Sequence, residues 1–132
     1  MRCTAFHIGD YMGKMLILLC DSPFHHESVE HAIELTRNSI EKGHEVDIYL
    51  MMDGVYNPMI SQSGEPFHME SISDQIKKLV AMGAEISGCR VCMELRGISE
   101  VDLPPGIDIG GIFDLSDSIA EADVVLSLTG AN

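Results

Sequence analysis

The sequence has few basic residues for its length. Its 132 residues include 8 Lys plus Arg against 21 Asp plus Glu, which gives a formal net charge of −13. Affinity for nucleic-acid backbones comes mainly from Lys and Arg that displace counterions, so this charge argues against direct nucleic-acid binding. An anionic membrane surface is disfavoured for the same reason. The excess of carboxylates is typical of a soluble protein.

A long hydrophobic run is also missing. The longest apolar stretch, residues 15–20, is far shorter than the ~18 residues that a membrane-spanning helix needs. Nothing at the amino terminus resembles a secretory signal, because residues 1–14 carry one early arginine but no apolar run. These absences predict a cytoplasmic protein that uses no membrane anchor and whose thiols stay reduced.

Motifs for nucleotide and metal cofactors are lacking too. GDYMGK (residues 9–14) is one residue short of the phosphate-loop spacing and precedes a predicted strand instead of following it. A zinc site needs about four thiolate or imidazole ligands. Cys89 and Cys92 supply two, and neither a second C-x-x-C nor a suitably spaced histidine pair follows. The sequence therefore predicts no cofactor and no metal site.

Apolar residues, by contrast, are abundant, although few of them are aromatic. Hydrophobic residues make up 45% of the chain, with nine methionines and no tryptophan. A chain of this length buries roughly two-thirds of its unfolded surface, so it can fold without a disulfide or metal. We predict an extension over residues 1–13 and a single domain over residues 14–132. The methionines provide an adaptable apolar surface that suits core packing or subunit contacts.

Short apolar runs alternate with helical patterns throughout this domain. Five segments are predicted as strands: KMLILLC (14–20), HEVDIYLMM (44–52), AEISGC (84–89), IDIGGIF (107–113) and DVVLSL (123–128). Helices are predicted between them, over residues 27–43, 71–83, 90–97 and 116–122. This alternation predicts an α/β fold with a parallel sheet covered on both faces.

Chemically active residues follow three of the predicted strands. Cys20 and Asp21 follow the first strand, Asp53 follows the second, and Cys89 ends the third. Ligands and reactive groups gather beyond the carboxyl ends of parallel strands, so we expect these residues to share one edge. The two aspartates, taken alone, are typical of solvated loop carboxylates. One intervening strand would place Cys20 about 10 Å from Cys89, too far for a disulfide.

The segment GCRVCMELRG (88–97) contains the two most informative cysteines. Cys89 is predicted at the start of the helix that Arg90 opens, where backbone N–H groups and the helix dipole favour a thiolate. Cys92 lies one turn further on, within reach for a disulfide if the helix start loosens. A reactive Cys89, an ordinary buried cysteine and a dithiol redox pair all remain open from these residues alone. The flanks of a thioredoxin-type WCGPC motif are absent.

The ordered set of motifs resembles the DsrE/DsrF-like family of small sulfur-relay proteins, which includes the TusD-type subunits. The resemblance covers residues 14–128 and is carried by KMLILLC, KGHEVDIYL, DGVYN, GAEISGCRVCMELRG and DVVLSL. It implies a three-layer α/β/α fold on a five-stranded, mainly parallel sheet. It also implies assembly into a homotrimer or homohexamer.

The chemistry that the resemblance implies is persulfide shuttling by a sulfurtransferase-like carrier. Cys89, eight residues ahead of Gly97, matches the position of the reactive cysteine in the family. Cys92 matches an auxiliary cysteine that some relatives carry. Cys89 would take sulfane sulfur from a donor protein and pass it to the thiol of an acceptor protein. A non-catalytic oligomeric interaction subunit and a C-x-x-C redox protein are the alternatives. Further candidate pocket residues are Asp53, Tyr56, Phe67, Arg90 and Cys20.

Overall fold

Five strands and four α-helices follow one another in the described part of the chain. The computed structural model describes residues 12–130, so the predicted extension over residues 1–13 falls almost entirely outside the described residues. The strands are β1 (Lys14–Leu19), β2 (Glu45–Leu50), β3 (Glu85–Cys89), β4 (Ile107–Gly110) and β5 (Val124–Leu128). The helices are α1 (Ser28–Glu41), α2 (Ile72–Ala81), α3 (Arg90–Glu94) and α4 (Ile112–Glu121).

The strands form one sheet in the order β4-β3-β2-β1-β5, and every neighbouring pair is parallel. The interior strand β1 lies between β2 and β5. Leu16 and Ile17, which point to opposite faces of the sheet, are both fully buried. Burial on both faces explains why β1 is a continuous apolar run and not an alternating one. The predicted three-layer α/β/α architecture on a five-stranded sheet is confirmed.

The two faces of the sheet carry cores of unequal size. The larger core joins α1 and α2 to the sheet, with Val29 and Leu79 among the buried helix residues and Ile48 among the strand residues. The smaller core lies under α4 and consists of Leu16, Tyr49 and Leu115. The connection from β4 to β5 runs back across the sheet, and its right-handed course places α4 on the face opposite α1 and α2.

The boundary between β4 and α4 differs from the prediction. IDIGGIF was expected to be extended through residue 113, but β4 ends at Gly110 and α4 begins at Ile112. The side chain of Asp114 accepts the N–H of Gly111 at 2.8 Å, which stabilises the first turn of the helix. Ile112 and Phe113 are 67% and 82% exposed, so their apolar character does not come from burial within the chain.

The connection after β2 packs tightly against the end of β1. It begins with a short 3-10 helix, Met52–Tyr56, in which Gly54 is buried. A Cβ atom at Gly54 would lie 2.1 Å from the backbone oxygen of Leu19, so only glycine fits there. The side-chain amide of Gln62 then donates to three carbonyl groups of the following turn, those of Tyr56, Asn57 and Met59. This connection therefore holds a defined position beside the carboxyl edge of the sheet.

Candidate functional site

Cys89 lies where the two cores meet at the carboxyl edge of the sheet. It is the last residue of β3, pairs with Gly110 of β4, and immediately precedes α3. It is partly buried and packs against the residues of both the larger and the smaller core. The predicted position of Cys89, at a strand end and a helix start, is therefore the position that the structure shows.

Hydrogen-bond donors around Cys89 favour its thiolate form. Burial by itself would raise the pKa of Cys89, but the N–H and S–H groups of Cys92, the N–H of Val91 and the Tyr49 hydroxyl outweigh it. The pKa of Cys89 therefore lies below its ordinary value. The helix α3 has only five residues, so these individual donors explain the effect better than a helix dipole does.

Cys92 is the complementary, protonated member of the pair. It is buried, and burial is the main reason why its pKa is raised. Its interaction with Cys89 raises the pKa further, because Cys92 acts as a donor toward the Cys89 sulfur. The N–H of Met52 donates to the Cys92 sulfur at 3.2 Å, and Met52 adopts a left-handed φ of 49°, uncommon for a residue with a side chain. Cys89 is thus the thiol that ionises first.

The arginine that contacts the site is Arg96 and not Arg90. Arg90 is exposed at the start of α3. Arg96 donates from Nη1 to the carbonyl oxygen of Cys92 at 3.0 Å and from Nε to Asp53 Oδ1 at 2.9 Å. Arg96 was not among the residues predicted from the sequence, although its spacing of four residues from Cys92 would place both on one face of a helix. Asp53 therefore lies at the predicted edge and contacts the site through Arg96.

Tyr49 is a second residue that the sequence analysis missed. It is 2% exposed, and its hydroxyl donates toward the carbonyl oxygens of Gly111 at 3.2 Å and Gly110 at 3.5 Å. Burial, followed by the charge of Cys89, raises the pKa of Tyr49 to about 12, so the phenol stays protonated at neutral pH. Strand alternation places Tyr49 on the face opposite Ile48. Only the strand order brings it beside Cys89.

Cys20 reaches the same edge from β1. No disulfide joins it to Cys89 or Cys92, and β2 lies between β1 and β3. Burial, then the charges of Asp21 and Cys92, raise the pKa of Cys20, so it is a weaker nucleophile than Cys89 at neutral pH. Cys20 therefore contributes a neutral thiol to this edge at neutral pH.

The two aromatic candidate residues of the loop after β2 lie in different surroundings. Tyr56 is partly buried and packs against the larger core, to which Cys92 belongs. Phe67 is 73% exposed and lines a separate apolar groove with Phe24 and Met69. Met52 and Asp53 are the residues of this loop that the hydrogen bonds connect to the site.

The prediction that Asp21 is a solvated loop carboxylate is wrong. Asp21 is 9% exposed, and its side chain accepts hydrogen bonds from the Ser28 hydroxyl, the Gly130 N–H and, at 3.4 Å, the Thr129 hydroxyl. Burial alone would raise its pKa, but these donors lower it below the ordinary value. The backbone oxygen of Asp21 also accepts the Asn57 side-chain amide at 2.8 Å. Asp21 therefore joins the ends of β1 and β5 to the start of α1.

Neither a metal cluster nor a membrane helix is found in the described part of the chain. Within residues 12–130, no three His, Cys, Asp or Glu side chains are grouped so that they could hold a metal ion. Over the same residues, no helix combines the length and apolar character needed to cross a membrane.

Comparisons with known proteins agree with this fold and cover almost the whole chain. Protein YchN of Escherichia coli is 28% identical over 118 residues, which span 88% of this chain and 99% of YchN. An uncharacterised protein of Methanopyrus kandleri, MK0008, is 26% identical over 111 residues, 83% of this chain and 89% of that protein.

Solved structures match over a similar span. The crystal structure of YchN superposes with a TM-score of 0.76 at 27% identity, covering 89% of this chain and 100% of YchN. Protein MTH1491 of Methanobacterium thermoautotrophicum shares the fold, with a TM-score of 0.68 at 16% identity over 89% of this chain and 99% of that one. The model of the DsrE/DsrF-like family matches residues 13–128. The chain belongs to the DsrE/DsrF-like family.

Proposed function

We propose that this protein carries sulfane sulfur as a persulfide on Cys89 and passes it to the thiol of a partner protein. The family is of the sulfur-relay type. One observation supports the proposal above all: Cys89 is a partly exposed thiol at the sheet edge whose pKa is lowered by surrounding hydrogen-bond donors. Sulfur transfer requires a thiolate that is accessible, and its rate depends on both properties.

Each transfer is a thiolate attack on sulfur and consumes no oxidant. The Cys89 thiolate attacks the outer sulfur of a donor persulfide, a new S–S bond forms, and the donor leaves as a thiolate. In delivery, an acceptor thiolate attacks the same outer sulfur and Cys89 leaves as a thiolate. The donors that stabilise the Cys89 thiolate make it a better leaving group in this second step. Such chemistry needs the reduced thiols of the cytoplasm, where we place it.

Cys92 supports Cys89 and does not replace it. Cys92 is 8% exposed and keeps its proton, which it directs to the Cys89 sulfur. A partner's persulfide therefore meets Cys89 first. The same contact favours a second candidate function, a dithiol redox couple, in which an oxidant removes two hydrogens and a Cys89–Cys92 disulfide forms.

Exposed apolar side chains near Cys89 support the proposal of assembly or partner docking. Val91 and Leu95 on α3 are 61% and 79% exposed. Ile112 and Phe113 begin α4, directly after the strand that pairs with β3 at Cys89. We name Val91, Leu95, Ile112 and Phe113 the apolar rim. Such a rim fits a protein–protein contact of a homotrimer, of a homohexamer or with sulfur donor and acceptor proteins.

Mass spectrometry after exposure to a low-molecular-weight persulfide tests the carrier function. Trypsin cleaves after Arg90, so that Cys89 and Cys92 fall in separate peptides, residues 79–90 and 91–96. After alkylation, we expect one added sulfur on peptide 79–90 of the wild type and of Cys92→Ser, and none on any peptide of Cys89→Ser. A small acceptor thiol should remove this sulfur.

The other outcomes separate the alternatives. A decrease in mass by two hydrogens, seen only in the protein that has both cysteines and without sulfur uptake, would instead establish the redox couple. If no variant takes up sulfur or forms this disulfide, the carrier proposal is wrong and a non-catalytic interaction subunit becomes the better interpretation.

A further inference from the structure

The hydroxyl of Tyr49 has more acceptors around it than its single proton can serve. Tyr49 belongs to β2 and is buried with Leu16 and Leu115 on the α4 side of the sheet. Its oxygen is 3.2 Å from the carbonyl oxygen of Gly111 and 3.5 Å from that of Gly110. Gly110 is the residue of β4 that pairs with Cys89, and Cys89 packs against the core that contains Tyr49, which places its sulfur beside the same hydroxyl as a third candidate acceptor.

The charge of Cys89 decides which acceptor is preferred. A neutral thiol is a weak acceptor, so the Gly111 carbonyl takes the phenol proton while Cys89 is protonated. A thiolate or a persulfide anion is a charged acceptor and forms the stronger hydrogen bond. The carbonyl of Gly111 also accepts the Leu115 N–H at 3.3 Å, so it keeps a partner when the phenol turns away. A change of partner therefore leaves the Gly111 carbonyl with a hydrogen bond.

We propose that Tyr49 is a switchable hydrogen-bond donor of the site, which holds the Gly111 carbonyl when Cys89 is neutral and the Cys89 sulfur when it is anionic. Tyr49 keeps its proton in both states. The role toward a persulfide rests on the proposed function, whereas the role toward the thiolate does not. Tyr49 thereby stabilises the form of Cys89 that attacks sulfur and the form that leaves.

Other titratable groups also lie around Tyr49 and Cys89. They are the same in the wild type and in a variant that lacks the Tyr49 hydroxyl. Cys92 approaches from α3 and acts on both Tyr49 and Cys89, and Asp114 acts on Tyr49 from α4. Arg96 and Cys20 act on Cys92. A change from Tyr49 to Phe removes only the hydroxyl, so any change in the ionisation of Cys89 reports the loss of that donor.

The test is the rate of iodoacetamide alkylation at Cys89, followed on peptide 79–90, as a function of pH for the wild type and Tyr49→Phe. Loss of the Tyr49 hydroxyl raises the pKa of Cys89. The Cys89 thiolate is then less abundant at neutral pH, but each thiolate is more nucleophilic. We expect Tyr49→Phe to react about threefold more slowly than the wild type near pH 7 and about threefold faster near pH 10, so that the two profiles cross. Tyr56→Phe, which removes the hydroxyl of a partly buried tyrosine that packs against the larger core, should reproduce the wild-type profile.

Two results would overturn the assignment. Profiles that coincide would show that the hydroxyl does not act on Cys89. Faster alkylation of Tyr49→Phe at every pH would show that the tyrosine only restricts access to the sulfur. If Tyr49→Phe fails to fold, the near-ultraviolet tyrosine absorbance of the wild type replaces it. That absorbance should change over the pH range in which Cys89 ionises, and the change should be absent in Cys89→Ser. A change that persists in Cys89→Ser would contradict the proposal. Alkylation needs no persulfide, so these results are independent of sulfur uptake.

Discussion

At the scale of single residues, hydrogen-bond donors decide what burial does to an ionisable group. Burial disfavours the charged form of Cys20, Cys89 and Asp21 alike, because it removes water from the charge. Cys89 and Asp21 each have several donors around them, and their pKa values fall below the ordinary range. No comparable set of donors offsets the burial of Cys20, so its pKa is raised. Cys89 is therefore distinguished from Cys20 by its neighbours and not by its exposure alone.

Replacement of Asp21 should show this effect as a pH-dependent loss of stability. Asp21→Asn keeps the shape but removes the charge that Ser28, Thr129 and Gly130 donate to, so we expect the free energy of unfolding at pH 7 to fall by about 1–3 kcal/mol. The pKa of Asp21 is lowered by folding, so its stabilisation is complete above the ordinary Asp pKa of about 3.9 and is lost as the pH falls through its folded value.

Urea unfolding at pH 7 and at about pH 3 measures both parts of this prediction. The difference between wild type and Asp21→Asn should be smaller at the lower pH. Asp108→Asn, at an exposed position on β4, is the matched control and should change the unfolding free energy by less than about 0.5 kcal/mol. Equal stability of wild type and Asp21→Asn at pH 7 would contradict the structural role of the carboxylate.

At the scale of secondary-structure elements, the short helix after β2 links the end of β1 to Cys92. Gly54 allows this helix to lie directly on the backbone of Leu19, and its neighbour Met52 donates to the Cys92 sulfur. We expect Gly54→Ala to lower the free energy of unfolding by about 1–3 kcal/mol, because the added methyl group overlaps backbone that cannot move independently. Gly111→Ala is the control, since a Cβ there meets no atom within 4 Å. Denaturant unfolding of both variants tests the prediction, which fails if the two substitutions cost the same.

Much of the fold could be predicted because its strands are buried on both faces. Burial on both faces explains the apolar runs of β1 and β2 in a chain of this charge. The same pattern predicts that the cysteine lies at the end of β3. The start of α4 could not be predicted, because Ile112 and Phe113 extend the apolar run of β4 while they are exposed in the structure. Only the Gly111 N–H that bonds to Asp114 marks that boundary.

The site could be predicted only in part, for a related reason. Cys89 is located by its position along the chain, at the junction of a strand and a helix. Tyr49 and Arg96 are located by contacts between elements. Tyr49 requires the order of β2, β3 and β4, and Arg96 requires the turn after α3 to lie beside Asp53. Spacing along one sequence does not specify either of these relations.

At the scale of the whole molecule, the apolar rim and the net charge of −13 oppose each other in any self-association. Burial of the rim favours assembly, whereas the excess of carboxylates repels a second copy. Salt screens this repulsion over about 10 Å at 0.1 M ionic strength and leaves apolar burial largely intact. We therefore expect the protein to assemble, and to assemble more strongly as the salt concentration rises.

Sedimentation velocity on the wild type and on Leu95→Glu/Phe113→Glu tests whether the rim forms the contact. These two rim residues are 79% and 82% exposed, and two carboxylates there should give a monomer at concentrations where the wild type is a trimer or hexamer. The control, Phe67→Glu/Val101→Glu, adds the same charge at positions that are 73% and 81% exposed but lie outside the rim, and should assemble like the wild type. If both double variants dissociate equally, net charge and not the rim controls assembly. A wild type that stays monomeric at high salt would show that the rim serves a different partner, and Cys89 would then meet that partner from a single chain.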